Sequence, residues 1–155
     1  MKYKWQYQYP VGSVGIAEDD GRITRVFFAG DAKAGGMQDH QLQESELIKR
    51  AAEQLSEYFE GKRKEFDLPL AFAGTDFQKR VWEALLTIPY GETRNYGEIA
   101  AQAGNPKAAR AVGMANNRNP IVIICPCHRV IGSDGSLVGY GGGLPAKQYL
   151  LDLEK

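Results

Sequence analysis

Residues 1–30 alternate apolar and polar positions between the turn formers Pro10, Gly12, Asp20-Gly21 and Gly30, a period of two that predicts short antiparallel strands. Ile23 to Phe28 is the strongest of these, and Asp19 to Gly21 predicts a hairpin turn. Residues 31–41, polar and carrying Gly35-Gly36, predict a loop. The period then changes. From Leu42 to Phe59, the positions Ile48, Ala51, Ala52, Leu55, Tyr58 and Phe59 recur at three and four residues, which predicts one amphipathic helix closed by Gly61. A charged run and then Leu68-Pro69 make residues 62–74 a connection over the surface.

Thr75 with Gln78 forms a capping-box pattern ahead of a helix whose core face is Phe77, Val81, Trp82, Leu85 and Leu86, ended by Pro89 and Gly91. Asn95 caps a short helix through Gln102, and Gly104 supplies a turn. Asn105-Pro106 reads as the cap and first-turn proline of a second helix through about Asn116. Two short helices joined by a glycine turn fit a helix-turn-helix, and equally fit simple helical packing. Small residues dominate the second helix, so it can lie close against a backbone or enter a groove. Ile121 to Ile124 is an apolar run expected to be buried and extended, leading directly into Cys125-Pro126-Cys127-His128-Arg129. Ser133 to Ser136 is a turn, Gly139 to Gly143 a flexible stretch, and Pro145 opens a last helix through Leu150, Leu151 and Glu154.

With 155 residues, 43% apolar and 25% charged, the chain suits one ordinary domain or two small ones. The change of pattern favours two. The expectation is an α+β chain: an N-terminal antiparallel sheet with a helix over 1–65, a linker over 66–74, and a mostly helical domain over 75–155. No apolar run approaches the roughly 18 residues of a membrane span, and the N-terminus, with Lys2, Lys4 and interleaved aromatics, lacks a secretory core. A cytoplasmic protein with no membrane partner is therefore expected. Nothing in the pattern demands more than a monomer.

The net charge of zero conceals an uneven distribution, −2 over residues 1–74 and +2 over 75–155. Between 94 and 129, Arg94, Lys107, Arg110, Arg118 and Arg129 face only Glu98. Such a patch fits either a nucleic-acid partner or a solvated face. Lys107 and Arg110, near the start of the second helix, favour DNA, because recognition helices use their N-terminal residues.

Cys125 and Cys127 are separated only by Pro126, so a mutual disulfide would be strained, and both are expected as thiols. A cysteine followed by histidine, behind a buried run and a proline, has the makings of an activated nucleophile. An ordinary thiol, with a pKa of about 8.5, needs a base or cation nearby, and His128 and Arg129 are both available. In an extended segment adjacent side chains diverge, so His128 would reach the thiol only by a turn or through a water. An inert buried cysteine is the competing reading. Cys125, Cys127, His128 and distant His40 do not have the spacing of a zinc site, and no metal or cofactor is expected.

The run Pro126-Cys127-His128-Arg129-Val130-Ile131-Gly132, with Asn119-Pro120, Gly104 to Gly113, Pro89 to Thr93, Tyr96 and Tyr140 to Leu144, closely resembles the O6-alkylguanine-DNA alkyltransferases. The resemblance is strong over 75–155 and general over 1–65, where it implies a ribonuclease-H-like arrangement. It implies direct-reversal repair of double-stranded DNA containing O6-alkylguanine, with O4-alkylthymine a second candidate substrate: the base is flipped out and its alkyl group moves once, irreversibly, to Cys127. By position, His128 is the base acting through a water, Glu154 orients it, and Tyr96 hydrogen-bonds and helps protonate the departing guanine. Arg110 fills the gap in the duplex, and Asn119 ties the helix pair to the active-site segment. Lys107, Arg94, Ala109 and Ala111 are further DNA-binding candidates. Val130, Tyr140, Gly141, Gly142 and Lys147 would line the alkylguanine pocket. Some relatives have serine where Gly141 stands, so that hydroxyl contact is lost here. The rivals are a non-catalytic alkylguanine binder, a cysteine-nucleophile hydrolase and a DNA-binding regulator without chemistry.

Overall fold

The N-terminal alternation becomes a four-stranded sheet in the computed structural model, which describes residues 1–31 and 34–155. β1 (Lys2–Tyr9), β2 (Gly12–Asp19) and β3 (Arg22–Phe28) run antiparallel, and β4 (Gln41–Leu42) adds parallel to β1, giving the order β3-β2-β1-β4. The β2–β3 turn is the predicted one. Asp20 and Gly21 both have positive φ, 52° and 79°, the combination whose twist matches a two-residue hairpin. Of the loop expected over 31–41, Ala32 and Lys33 lie outside the described residues.

Period two places Val14 and Ile16 of β2 on one face, in register with Tyr7 and Trp5 of β1 and Phe28 and Val26 of β3. Helix α1 (Glu46–Phe59) packs against these strands, with Tyr9 stacked on Phe59 at 5.0 Å. On the other face Phe27 lies over Gly15, where a Cβ would sit 2.2 Å from the ring. The helix starts four residues later than its apolar pattern predicts. Ser45 caps the Ile48 N–H, and Leu42 is engaged in the sheet. Residues 69–71 are also more than a surface connection: the Ile23 N–H donates to the Pro69 carbonyl at 2.8 Å and the Ala71 N–H to that of Ile23 at 2.9 Å. The chain divides into units Met1–Phe72 and Ala73–Lys155.

In the second unit, α2 (Asp76–Leu86) carries the predicted Thr75/Gln78 capping box. Its buried face is Val81, Trp82, Ala84 and Leu85, with Leu86 exposed, and the Trp82 indole donates to the Ala115 carbonyl at 2.9 Å. A second box, Asn95 with Glu98, starts α3 (Tyr96–Gln102). Gly104, at φ 98°, makes the turn to α4 (Ala109–Asn117). Asn105 does not cap α4, contrary to expectation. Its side chain accepts from the Lys107 N–H at 3.1 Å, closing a local turn, and the helix begins four residues later.

The run 121–124 is buried as predicted but is not extended. The Cys125 N–H reaches back to the Ile121 carbonyl at 3.0 Å, and the Ile124 N–H to that of Val122 at 2.8 Å, around Ile123 at φ 70°. A β-branched residue there costs about 1–2 kcal/mol. Cys127–Arg129 is a short 3-10 turn, followed by β6 (Val130–Ile131), which pairs in parallel with β5 (Arg94–Asn95). α5 (Leu144–Leu153) ends the chain, with Glu154 as its C-cap.

Candidate active site

Two buried asparagines hold the segment that presents Cys127. The Asn119 side chain donates to the Cys125 carbonyl at 2.8 Å and accepts the Ile121 N–H at 3.0 Å, thereby bracing the turn that the apolar run would not form alone. Asn116, on α4, donates to the Cys127 carbonyl at 3.3 Å, which orients its amide, and its Oδ1 is buried without a hydrogen-bond partner among the described residues. The Cys127 N–H donates to the Cys125 carbonyl at 2.8 Å across Pro126, whose φ of −82° and ψ of 65° form a tight inverse turn. Cys127 thus has a rigid backbone and is 2% exposed.

Neither cysteine is in a disulfide. The Cys125 thiol lies 3.5 Å from the Trp82 carbonyl, and burial, reinforced by Cys127, pushes its pKa up and keeps it protonated. Among the described residues no three His, Cys, Asp or Glu side chains converge on a metal position.

His128 is wholly buried, with Nε2 2.7 Å from Oε2 of Glu154. Burial holds its pKa below the ordinary value of 6.5, although Glu154 pulls the other way, so near neutral pH the ring is uncharged. A carboxylate can only accept, so the ring proton is assigned to Nε2 and Nδ1 carries the lone pair. Nδ1 is buried and has no hydrogen-bond partner among the described residues. The arrangement is that of a base whose other nitrogen is held by an orienting carboxylate.

Arg129, expected as a cation available to the thiol, is committed to Glu154 instead. Its Nε donates to Oε1 at 2.7 Å, one terminal nitrogen to Oε2 at 3.1 Å, and the other to the Ile88 carbonyl at 2.7 Å. The Gly91 N–H adds a long contact to Glu154 Oε1 at 3.4 Å.

The Tyr96 hydroxyl donates to the Val138 carbonyl at 3.3 Å, and Lys147, fully buried, donates to the carbonyls of Val130 at 2.6 Å and Val138 at 3.0 Å. Burial raises the Tyr96 pKa and Cys127 adds to the shift, so the phenol remains a proton donor at neutral pH. Burial lowers that of Lys147, and Cys127 opposes it. These cross-influences place Tyr96, Lys147 and the thiol in one electrostatic neighbourhood. Gly141 is exposed, Gly142 and Tyr140 half-buried.

On α4, Arg110, Ala111, Met114, Asn117 and Arg118 form one exposed face, with Lys107 exposed in the preceding turn and Ala109 half-buried. Gly113 faces the Tyr96 ring, where a Cβ would sit 3.9 Å away, so the small helix packs against the phenol. Arg94 is bound locally, by the Glu92 carboxylate at 3.2 Å and the Thr93 carbonyl at 2.9 Å. Sequence reasoning missed Asn116, although a polar residue on the helical stripe of Val112, Ala115 and Asn119 was a usable signal. The Arg129–Glu154 pairing had no local signal, since its partners are distant in the chain.

Residues 2–72 match the family described as 6-O-methylguanine DNA methyltransferase, ribonuclease-like domain, and residues 76–155 match its DNA binding domain. A methylated-DNA--protein-cysteine methyltransferase of Methanosarcina acetivorans is 52% identical over 96% of this chain and 95% of its own. The crystal structure of Mycobacterium tuberculosis O6-methylguanine methyltransferase superposes with a TM-score of 0.92 at 48% identity, covering 99% of this chain and 93% of that one. A crystal structure of Mycobacterium tuberculosis OGT in complex with DNA gives the same score and identity over 98% and 92%. With both halves matched and the sequence pattern carried throughout, the chain belongs to the 6-O-methylguanine DNA methyltransferase family.

Proposed function

We propose that this protein repairs DNA by direct reversal, taking the alkyl group of an O6-alkylguanine onto Cys127 in a single irreversible turnover. The observation that carries the reading is the 2.7 Å contact between His128 Nε2 and Glu154, which leaves a buried basic nitrogen in the residue next to a rigidly held cysteine. In the proposed step the thiol proton passes through a water to His128 Nδ1, and the sulfur attacks the alkyl carbon in line. A carbon–sulfur bond forms as the carbon–oxygen bond breaks. The electron pair leaves on the guanine, whose developing charge is met by the Tyr96 phenol. The resulting thioether has no facile leaving group, so nothing regenerates the thiol, and no cofactor enters.

The substrate base must leave the helix, because stacking blocks the in-line approach. The exposed face of α4, with Arg110 to occupy the gap and Lys107 and Arg118 for phosphates, suits a minor-groove approach with little sequence preference. Asn119 joins this helix to the reactive turn, and Lys147 with the carbonyls of Val130 and Val138 supports the pocket wall from Tyr140 to Gly142. The test is incubation with an oligonucleotide containing O6-methylguanine, followed by intact mass and peptide mapping. One added methyl group on Cys127 supports the reading. Repeated turnover indicates a hydrolase, and DNA binding without a mass change indicates a non-catalytic binder or regulator.

A further inference from the structure

Arg129 has no assigned part in the relay, yet its guanidinium is one of the most constrained groups in the unit. It makes a two-point contact with Glu154, a third bond to the Ile88 carbonyl, and lies with Cζ 5.7 Å from the centre of the Tyr90 ring. Tyr90 in turn donates to the Leu153 carbonyl at 3.3 Å, adjacent to Glu154. The row Arg129, Glu154, His128 is buried throughout.

The relay tolerates only one protonation arrangement of His128 and Glu154: an ionised carboxylate, a proton on Nε2 and a bare Nδ1. A second proton can enter the pair in two ways. It can sit on the ring, giving an imidazolium, or on the carboxyl, which then donates to Nε2 and drives the ring proton to Nδ1. Both remove the lone pair that accepts the thiol proton. A fixed cation against the carboxylate disfavours both, because each makes the pair one unit more positive beside an existing positive charge.

We infer that Arg129 is a positioning residue that keeps His128 and Glu154 in the single-proton arrangement in which Nδ1 can act as a base. The groups facing His128 are Glu154, Arg129, Lys147 and its chain neighbour Cys127. Lys147 acts in the same direction as Arg129, but its ammonium is bonded to the carbonyls of Val130 and Val138. Of these two cations, Arg129 combines that charge with direct bonds to Glu154. The inference rests on the alkyl-transfer reading for its kinetic consequence and on the hydrogen-bond geometry for its electrostatic one.

The chain has two histidines, so in a His40→Gln background the remaining imidazole in an NMR titration is that of His128. Arg129→Lys keeps a charge without the fork, and Arg129→Gln keeps donors without the charge. The expected result is that the imidazole midpoint and the acid limb of methyl transfer move to higher pH together, further for Gln than for Lys. At pH below the limb the rate falls about tenfold for each unit moved, and the rates converge at high pH. Should Arg129→Gln fail to fold with Glu154 left buried beside no cation, Arg129→Lys against the parent protein decides by the same two readouts. Equal loss of rate at every pH with an unmoved midpoint would overturn the inference and leave Arg129 a structural residue. A parent protein that transfers no methyl group removes the functional reading, while the imidazole titration still decides the role of Arg129.

Discussion

Replacing Asn119 with alanine should destabilise the C-terminal unit by more than the loss of two ordinary hydrogen bonds. Asn119 is wholly buried, and so are its partners, Ile121 and Cys125. Removing the amide orphans the buried Ile121 N–H, bonded at 3.0 Å, and takes the 2.8 Å side-chain bond from the Cys125 carbonyl, which keeps its bond from the Cys127 N–H. The orphaned donor costs about 1–3 kcal/mol and the lost bond to the carbonyl about 0.5–1.5 kcal/mol, so together they amount to about 1.5–4.5 kcal/mol. A typical domain has about 5–15 kcal/mol in all, so the variant loses a large share of that margin. Denaturant unfolding followed by Trp82 fluorescence in a Trp5→Phe background reports on this unit. Asn119→Asp is the matched control: it keeps an acceptor for Ile121 but loses the donor to Cys125 and buries a charge. It should be as damaging at pH 7 and should regain stability relative to the parent as the pH falls and the carboxyl acquires a proton to donate. A loss below about 1 kcal/mol for the alanine variant would refute the view that this side chain braces the reactive turn.

Gly91 has φ 81°, and a Cβ there would lie 2.9 Å from the Glu154 backbone carbonyl, so Gly91→Ala should cost about 1–2 kcal/mol from backbone strain alone and slow alkyl transfer. A thermal midpoint equal to that of the parent would contradict it. The His128 pKa is lowered by folding, so the unfolded chain binds the extra proton first. Stability from this group is full above its ordinary value of 6.5 and is lost as the pH falls below that toward the folded value. Denaturation midpoints at successive pH values should show this slope, and His128→Gln should lack it. Arg110→Ala should slow repair in duplex DNA more than reaction with the free modified base, and equal slowing of both would exclude a gap-filling role.

Local features were legible in the chain itself. The Asp20-Gly21 turn, the Thr75/Gln78 box, the Asn95 cap and the stripe of α1 each involve residues within a few positions of one another, so steric preference and short-range hydrogen bonding decide them. The motif around Cys127 likewise named its own family. What required the tertiary structure was the choice among competing partners. Asn105 could cap a helix or close a turn, and it closes a turn. Ile121 to Ile124 could run extended, but Asn119, which supplies both a donor and an acceptor, binds the backbone into a strained turn around Ile123. Arg129 could face the thiol, yet the carboxylate of Glu154 and the carbonyl of Ile88 reach it from distant parts of the chain. An unpaired polar group is costly in a buried site, and which partners arrive to pair it is settled by packing rather than by sequence neighbours.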